Sequence, residues 1–302
     1  MIADAHCHFF SAGFFRTLGA TPGVATDPAS DPAEALPARL GWDPPGDNRT
    51  LAARWVAELD RHGVGRAMLM ASLPGDEDSV AAAVAASPDR ITGGFMVNPA
   101  APDAHTRVER AFAERGLSVA CLFPAMHVVP VDDPRSVRVF ELARQYRRGV
   151  FVHCGVLSVG VRAKLGLPSP FDLRLGDPLA VAAVAVRHPE VPVIIPHFGA
   201  GLFLQALMAL RAAENVVLDT SSSNSWTRLH PGLTLREVFE RTLEVAGAGR
   251  LLFGTDSSFF PRGWQAGVHD EQRALLTDLG VSPGEQSQIF GGNFARVFGP
   301  AS

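Results

Sequence analysis

The chain has 302 residues, 47% of them hydrophobic and 19% charged, with a formal net charge of −4. This composition excludes a disordered chain, and the weak charge of mixed sign gives no basic stripe for nucleic acid or an anionic membrane. No apolar run reaches about 18 residues and no basic segment with an apolar h-region opens the chain, so a cytoplasmic protein is expected.

Short β-branched or apolar runs alternate with amphipathic stretches through eight rounds. The first run, 2–8, closes on Asp4-Ala5-His6-Cys7-His8. Side chains alternate faces along a strand, so His6 and His8 point one way and Cys7 the other; two imidazoles on one face suit a borderline metal such as zinc. A long connection over 9–49, rich in Pro, Gly and Asp, leads to a helical pattern over 51–62. Strands are predicted next over 66–72 and 91–97, then a helix over 102–115, a strand over 118–124 and a helix over 135–147. The fifth strand, 149–154, carries His153; a second long connection over 155–176 follows, with Arg162, Lys164 and Arg174. Helices over 178–188, 202–214 and 235–246 separate strands over 192–197, 215–220 and 251–256, of which the first ends at His197 and the last at Asp256.

Eight β–α rounds predict an α/β fold, a (β/α)₈ TIM barrel with long loops after strands 1 and 5, in one domain over 1–302. A doubly wound open sheet is the alternative, but no GxGxxG or P-loop follows any strand. In a barrel both long connections lie over the C-terminal mouth, where active sites are built. His6, His8, His153, His197 and Asp256 then end strands 1, 5, 6 and 8 and face that mouth, a constellation pointing to a metal site. His62, His105 and His188 fall in helical stretches and are expected to be solvated. Cys7 and Cys154 each adjoin a histidine and are expected to be buried small hydrophobes; three cysteines without a CxxC do not make a disulfide framework.

Substrate contacts are expected from the mouth loops. Phe9, Phe10, Phe14 and Phe15 follow strand 1, His127 follows strand 4, Trp226, Arg228 and His230 follow strand 7, and Arg262 and Trp264 follow strand 8. Of these, Phe10, His127, Trp226, Arg228 and Arg262 are the substrate-binding candidates. Aromatic walls with an arginine suit a flat, carboxylated small molecule. The run Ser221-Ser222-Ser223-Asn224-Ser225 offers further hydrogen bonds, although polar residues after a strand are also ordinary turn chemistry.

Taken together, the His6-Cys7-His8 pair, His153, the His197-Phe198-Gly199 turn, the Gly254-Thr255-Asp256 turn and the closing Ile289-Phe290-Gly291-Gly292-Asn293 resemble the amidohydrolase superfamily. The resemblance is closer to the amidohydrolase-2 group related to aminocarboxymuconate-semialdehyde decarboxylase. It implies that His6, His8, His153 and Asp256 bind one divalent ion, usually zinc with manganese as second choice, and that His197 stands beside it as a catalytic group. It also implies a homodimer. No lysine ends strand 4, where Cys121 and Phe123 stand, and Lys164 is the only lysine in the chain, so a mononuclear site is expected. Asp256 would then serve as ligand and proton acceptor, and His197 would polarise a carbonyl or orient water. The first expectation is a hydrolase of a small ester, lactone or amide; a non-oxidative decarboxylase of an aromatic or enoic acid is second, and a non-catalytic metal-binding barrel is third.

Overall fold

The computed structural model describes residues 1–221 and 225–299. Eight parallel strands pair in chain order: β1 Ile2–Phe9, β2 Val64–Ala71, β3 Ile91–Val97, β4 Val119–Leu122, β5 Gly149–Val152, β6 Val193–Ile195, β7 Val216–Asp219 and β8 Leu251–Leu252. β8 is shorter than the 251–256 expected, because the chain beyond Leu252 leaves β7 and bonds to β1 instead. Ala5 N donates to Phe253 O at 2.8 Å, Asp256 N to His6 O at 2.8 Å and His8 N to Ser257 O at 2.7 Å. These bonds close the barrel and set Asp256 beside the two histidines.

Helices cover the outside, including Asn48–Arg61, Ala104–Ala113, Pro134–Gln145, Pro178–Ala185, Phe203–Ala212 and Leu235–Ala246. The first long connection contains two helices of its own, Ala12–Gly19 and Pro32–Leu40. Each starts on a side chain that satisfies an early backbone N–H: Ser11 Oγ accepts from Phe14 N and Asp31 accepts from Ala33 N, with Pro32 at the first helical position. The second connection carries the short helix Gly160–Lys164. Phe14, Phe15, Leu18, Leu36 and Trp42 from the first connection pack with Val161, Leu165 and Leu167 from the second. The two insertions therefore form a cap with its own apolar core over the mouth. Among the described residues no helix is long and apolar enough to cross a membrane.

Apolar side chains divide between a layer outside the strands and a packed barrel interior. Cys7 and Cys154 lie in the outer layer, whereas Ala3, Ala5, Met68, Met70, Cys121, Phe151, Ile194, Val217 and Leu252 fill the interior. Phe294 and Val297, from the helix Asn293–Phe298, plug its lower end. Simple alternation would place His6 and His8 opposite Ala3 and Ala5, yet all four face inward. The reason is a bulge: Asp4 pairs with Ala67 and Cys7 with Leu69, three steps on β1 against two on β2. It turns Asp4 outward, where its carboxylate accepts from Trp264 Nε1 at 2.7 Å and Thr255 Oγ1 at 2.6 Å.

Candidate active site

His6 and His8 end β1 with their Nε2 atoms 3.7 and 2.9 Å from Asp256 Oδ1. Donors about 2.0–2.2 Å from a tetrahedral zinc stand roughly 3.4 Å apart, so these three groups have the spacing of ligands to one ion. One ligand atom from each lies within 4.8 Å of the others. His153, which follows β5, joins no group that tight, but its buried Nδ1 has no hydrogen-bond partner among the described residues and its ring centroid is 5.4 Å from that of His197. An unpartnered buried imidazole nitrogen is costly unless something else meets it. The donor set of three imidazoles and a carboxylate fits a zinc-type or manganese-type cation.

The other ring nitrogen of each β1 histidine is oriented by the protein. His6 Nδ1 meets Asp219 Oδ2 at 2.5 Å, and His8 Nδ1 meets Ser72 Oγ at 2.8 Å. Such partners hold a ligand ring in place and select its tautomer. Gly254 makes room for this: a Cβ there would sit 2.9 Å from His6 Cβ and 3.2 Å from Asp219 Oδ1. His197 and Asp256 adopt left-handed backbone angles, φ 56° and 58°. For residues other than glycine this conformation costs on the order of 1–3 kcal/mol and persists where the surroundings over-determine it.

The charges follow from this packing. Burial disfavours the His6 imidazolium, but Asp219, and behind it Asp256 and Asp4, raise it to about 9. Burial would lift Asp256, yet the hydrogen bond from His8 and the nearby His6, His8 and His197 hold its carboxyl well below the usual range. Burial lowers His153 and His197, reinforced by their histidine neighbours. Asp256 is thus ionised while His153 and His197 are neutral, the states in which they can act as ligands or acceptors.

Above these groups opens a cavity of about 410 Å³ bounded by the cap. His6, His8, His153, His197 and Asp256 form its floor, and Phe10, Phe14, Trp42, Phe123 and Phe259 are among its apolar walls. Four of the rings stack in sequence: Phe14 on Phe10 at 4.3 Å, Phe10 by Trp42 at 6.0 Å, and Trp42 on Phe259 at 4.0 Å. Arg262 ends the stack, 4.5 Å above Phe259, and its Nη2 donates to Ser258 Oγ at 2.8 Å and Asp256 O at 3.2 Å. Lys164 reaches the same cavity.

Of the substrate-contact expectations, Phe10 and Arg262 line the cavity, whereas His127, Trp226 and Arg228 do not. Trp226 is buried on Phe203 and His230 in the outer layer, because the chain after β7 folds back onto the helix Phe203–Ala212. Arg228, two residues further, is exposed. His127 ends the single-turn helix Pro124–His127 with a buried Nδ1 that has no hydrogen-bond partner among the described residues, and Met126 takes the lining position. Phe9 and Trp264 belong to the outer layer, and Phe15 to the cap core. Ser222, Ser223 and Asn224 lie outside the described residues. Asp219 and Trp42 had no place in the sequence-based site. Asp219 carried the same signal as Asp256, a carboxylate at a strand end; Trp42 had none, since its loop reaches the cavity only through cap packing.

The model of the amidohydrolase family matches residues 3–299. The chain belongs to that family. It is therefore an amidohydrolase-related enzyme. Similar solved structures include the 5-carboxyvanillate decarboxylase of Sphingomonas paucimobilis, 18% identical with a TM-score of 0.63 and 98% of each chain covered. A probable 2-pyrone-4,6-dicarboxylic acid hydrolase of Acinetobacter baumannii with citric acid bound is 14% identical, TM-score 0.61, with 99% of each chain covered. A variant of the 5-carboxyvanillate decarboxylase of Novosphingobium aromaticivorans, with manganese and 3-methoxy-4-hydroxy-5-nitrobenzoic acid bound, is 16% identical, TM-score 0.62, covering 98% of this chain and 95% of that one. At these identities the likeness is one of fold. No curated protein sequence matches the chain.

Proposed function

We propose that this enzyme is a mononuclear metal-dependent hydrolase of a small, flat, carboxylated ester, lactone or amide, with residues 1–302 acting as one catalytic barrel. The observation that carries this reading is the convergence of His6, His8 and Asp256 donor atoms on the floor of an aromatic-walled cavity, with His197 alongside. His6, His8, His153 and Asp256 would hold the ion, zinc as first choice and manganese as second. When bound, such an ion supplies a Lewis acid that acidifies water and polarises a carbonyl oxygen. As the water oxygen bonds to the substrate carbonyl carbon, the Asp256 carboxylate takes its proton. It returns that proton to the departing oxygen or nitrogen as the C–O or C–N bond breaks. The stacked rings hold a planar substrate, and Arg262 pairs with its carboxylate.

A second reading, non-oxidative decarboxylation of an aromatic or enoic acid, is favoured by one observation: Arg262 is tied to the Asp256 backbone, so a carboxylate bound there would stand close to the metal ligands. A substrate panel followed for acid release and for carbon dioxide release separates the two. Acid release supports hydrolysis; carbon dioxide alone overturns it. Elemental analysis should find about one zinc or manganese per chain, and two would overturn the mononuclear site. Asp256→Asn should lower kcat by at least about 10³-fold while the protein stays folded.

A further inference from the structure

Ser221 lies between His6, a proposed metal ligand, and His197, expected from the sequence to polarise a carbonyl or orient water. Its hydroxyl donates to Asp219 Oδ1 and stands 2.8 Å from His197 Nδ1 and 3.3 Å from His6 Nδ1. The other oxygen of the same carboxylate meets His6 Nδ1. Asp219 and Ser221 are both fully buried, so no solvent competes for these bonds.

Counting protons fixes the direction of every bond. A serine hydroxyl has one proton, and Asp219 receives it, so toward His197 the oxygen can only accept. His197 Nδ1 is also 3.1 Å from the backbone carbonyl oxygen of Ser221, which has no proton to give. Two independent acceptors therefore require the proton to be on His197 Nδ1, which leaves Nε2 of the neutral ring as a lone pair. The carboxylate of Asp219 makes the same demand of His6 Nδ1. His6 and His197 both line the cavity floor, with ring centroids 4.9 Å apart.

We propose that Asp219 and Ser221 form one positioning unit that keeps Nδ1 of both histidines protonated, so that Nε2 is the nitrogen each ring presents to the cavity floor. His6 thereby offers Nε2 to the divalent ion, and His197 offers Nε2 as a hydrogen-bond acceptor to the reacting water. This rests on the proposed function and narrows it. His197 orients water and does not donate to the substrate carbonyl. Ser221 touches neither ion nor substrate; it is a positioning residue that ties a ligand histidine to the water-orienting one.

The test is long-range proton–nitrogen correlation spectroscopy on protein labelled with 15N-histidine, read metal-free and after loading with zinc, with His197→Gln used for assignment. The neutral His197 ring should carry its proton on Nδ1 and none on Nε2 in both forms; a proton on Nε2 overturns the proposal. In Ser221→Ala, only the backbone carbonyl would still hold the ring. Solvent exchange of the His197 Nδ1 proton should then quicken at least about tenfold, with metal content unchanged and the protein still folded. kcat should fall about tenfold with KM within about twofold, and Ser221→Thr should restore most of the loss. Unchanged exchange together with unchanged kcat overturns the coupling. Wild-type protein that holds zinc but turns over no ester, lactone or amide would count against the hydrolase reading, while the spectroscopy still decides the tautomer.

Discussion

His127 shows what burial does to a single titratable group. Its Nδ1 is enclosed without a partner among the described residues, and burial pushes the imidazole down to about 4. An unfolded chain binds that proton near 6.5, so between these two values the unfolded state holds more protons than the folded one. Stability is therefore fully present above about pH 6.5, falls as the pH drops toward 4, and loses nothing more from this residue below that. The loss should be at most about 3 kcal/mol. Denaturant midpoints measured from pH 7 to 4 should drop less steeply in His127→Gln than in the wild type; parallel curves would show that the ring is solvated in solution. The proposed metal-site residues differ in kind. The strand-end places of His6, His8, His153 and Asp256 stood out in the sequence because a histidine or aspartate at a predicted strand end has few structural reasons to be there. Asp219 ends its strand equally well, but a lone aspartate before a serine run reads as turn chemistry until its oxygen is seen against His6 Nδ1.

Among the elements, the two insertions matter most, because neither forms a wall alone. The helices Ala12–Gly19 and Pro32–Leu40 meet the segment around Val161 and Leu165 in a shared apolar core, and Trp42 joins that core to the ring stack. Truncating a buried tryptophan costs roughly 3–5 kcal/mol locally. Here the loss falls on the cap, since the proposed metal donors stand on β1 and in the turns after β5 and β8. Trp42→Ala should therefore raise KM at least about tenfold and leave metal content unchanged; loss of the metal as well would mean that the cap holds the ligands. The turn after β5 is bound to its neighbour more rigidly. Gly155 has φ +66°, and a Cβ there would lie 2.2 Å from the Ala200 carbonyl oxygen. Glycine thus lets the chain leaving His153 pass directly against the turn that carries His197.

For the molecule as a whole, the proposed ligands come from both ends of the sequence, and the ion would bind only where the barrel closes. Whatever binds the folded state alone stabilises it by mass action, about 4 kcal/mol at a thousandfold excess over Kd. Removing metal with a chelator should lower the thermal midpoint by several degrees, at roughly 1.5–2 °C per kcal/mol for a chain of this size. Zinc or manganese should restore it; an unchanged midpoint would mean that no ion couples to the fold. The sequence by itself determined the alternating architecture, the faces of His6 and Cys7, and the strand-end histidines, because periodicity and spacing are local properties of the chain. Tertiary structure alone decided the bulge that brings His6 and His8 inward beside Ala3 and Ala5, the partnership of Asp219 and Ser221, and the exclusion of Trp226 and Arg228 from the cavity. Those outcomes depend on how β1 meets β8 and how loops settle on helices, and no local pattern encodes contacts between residues two hundred positions apart.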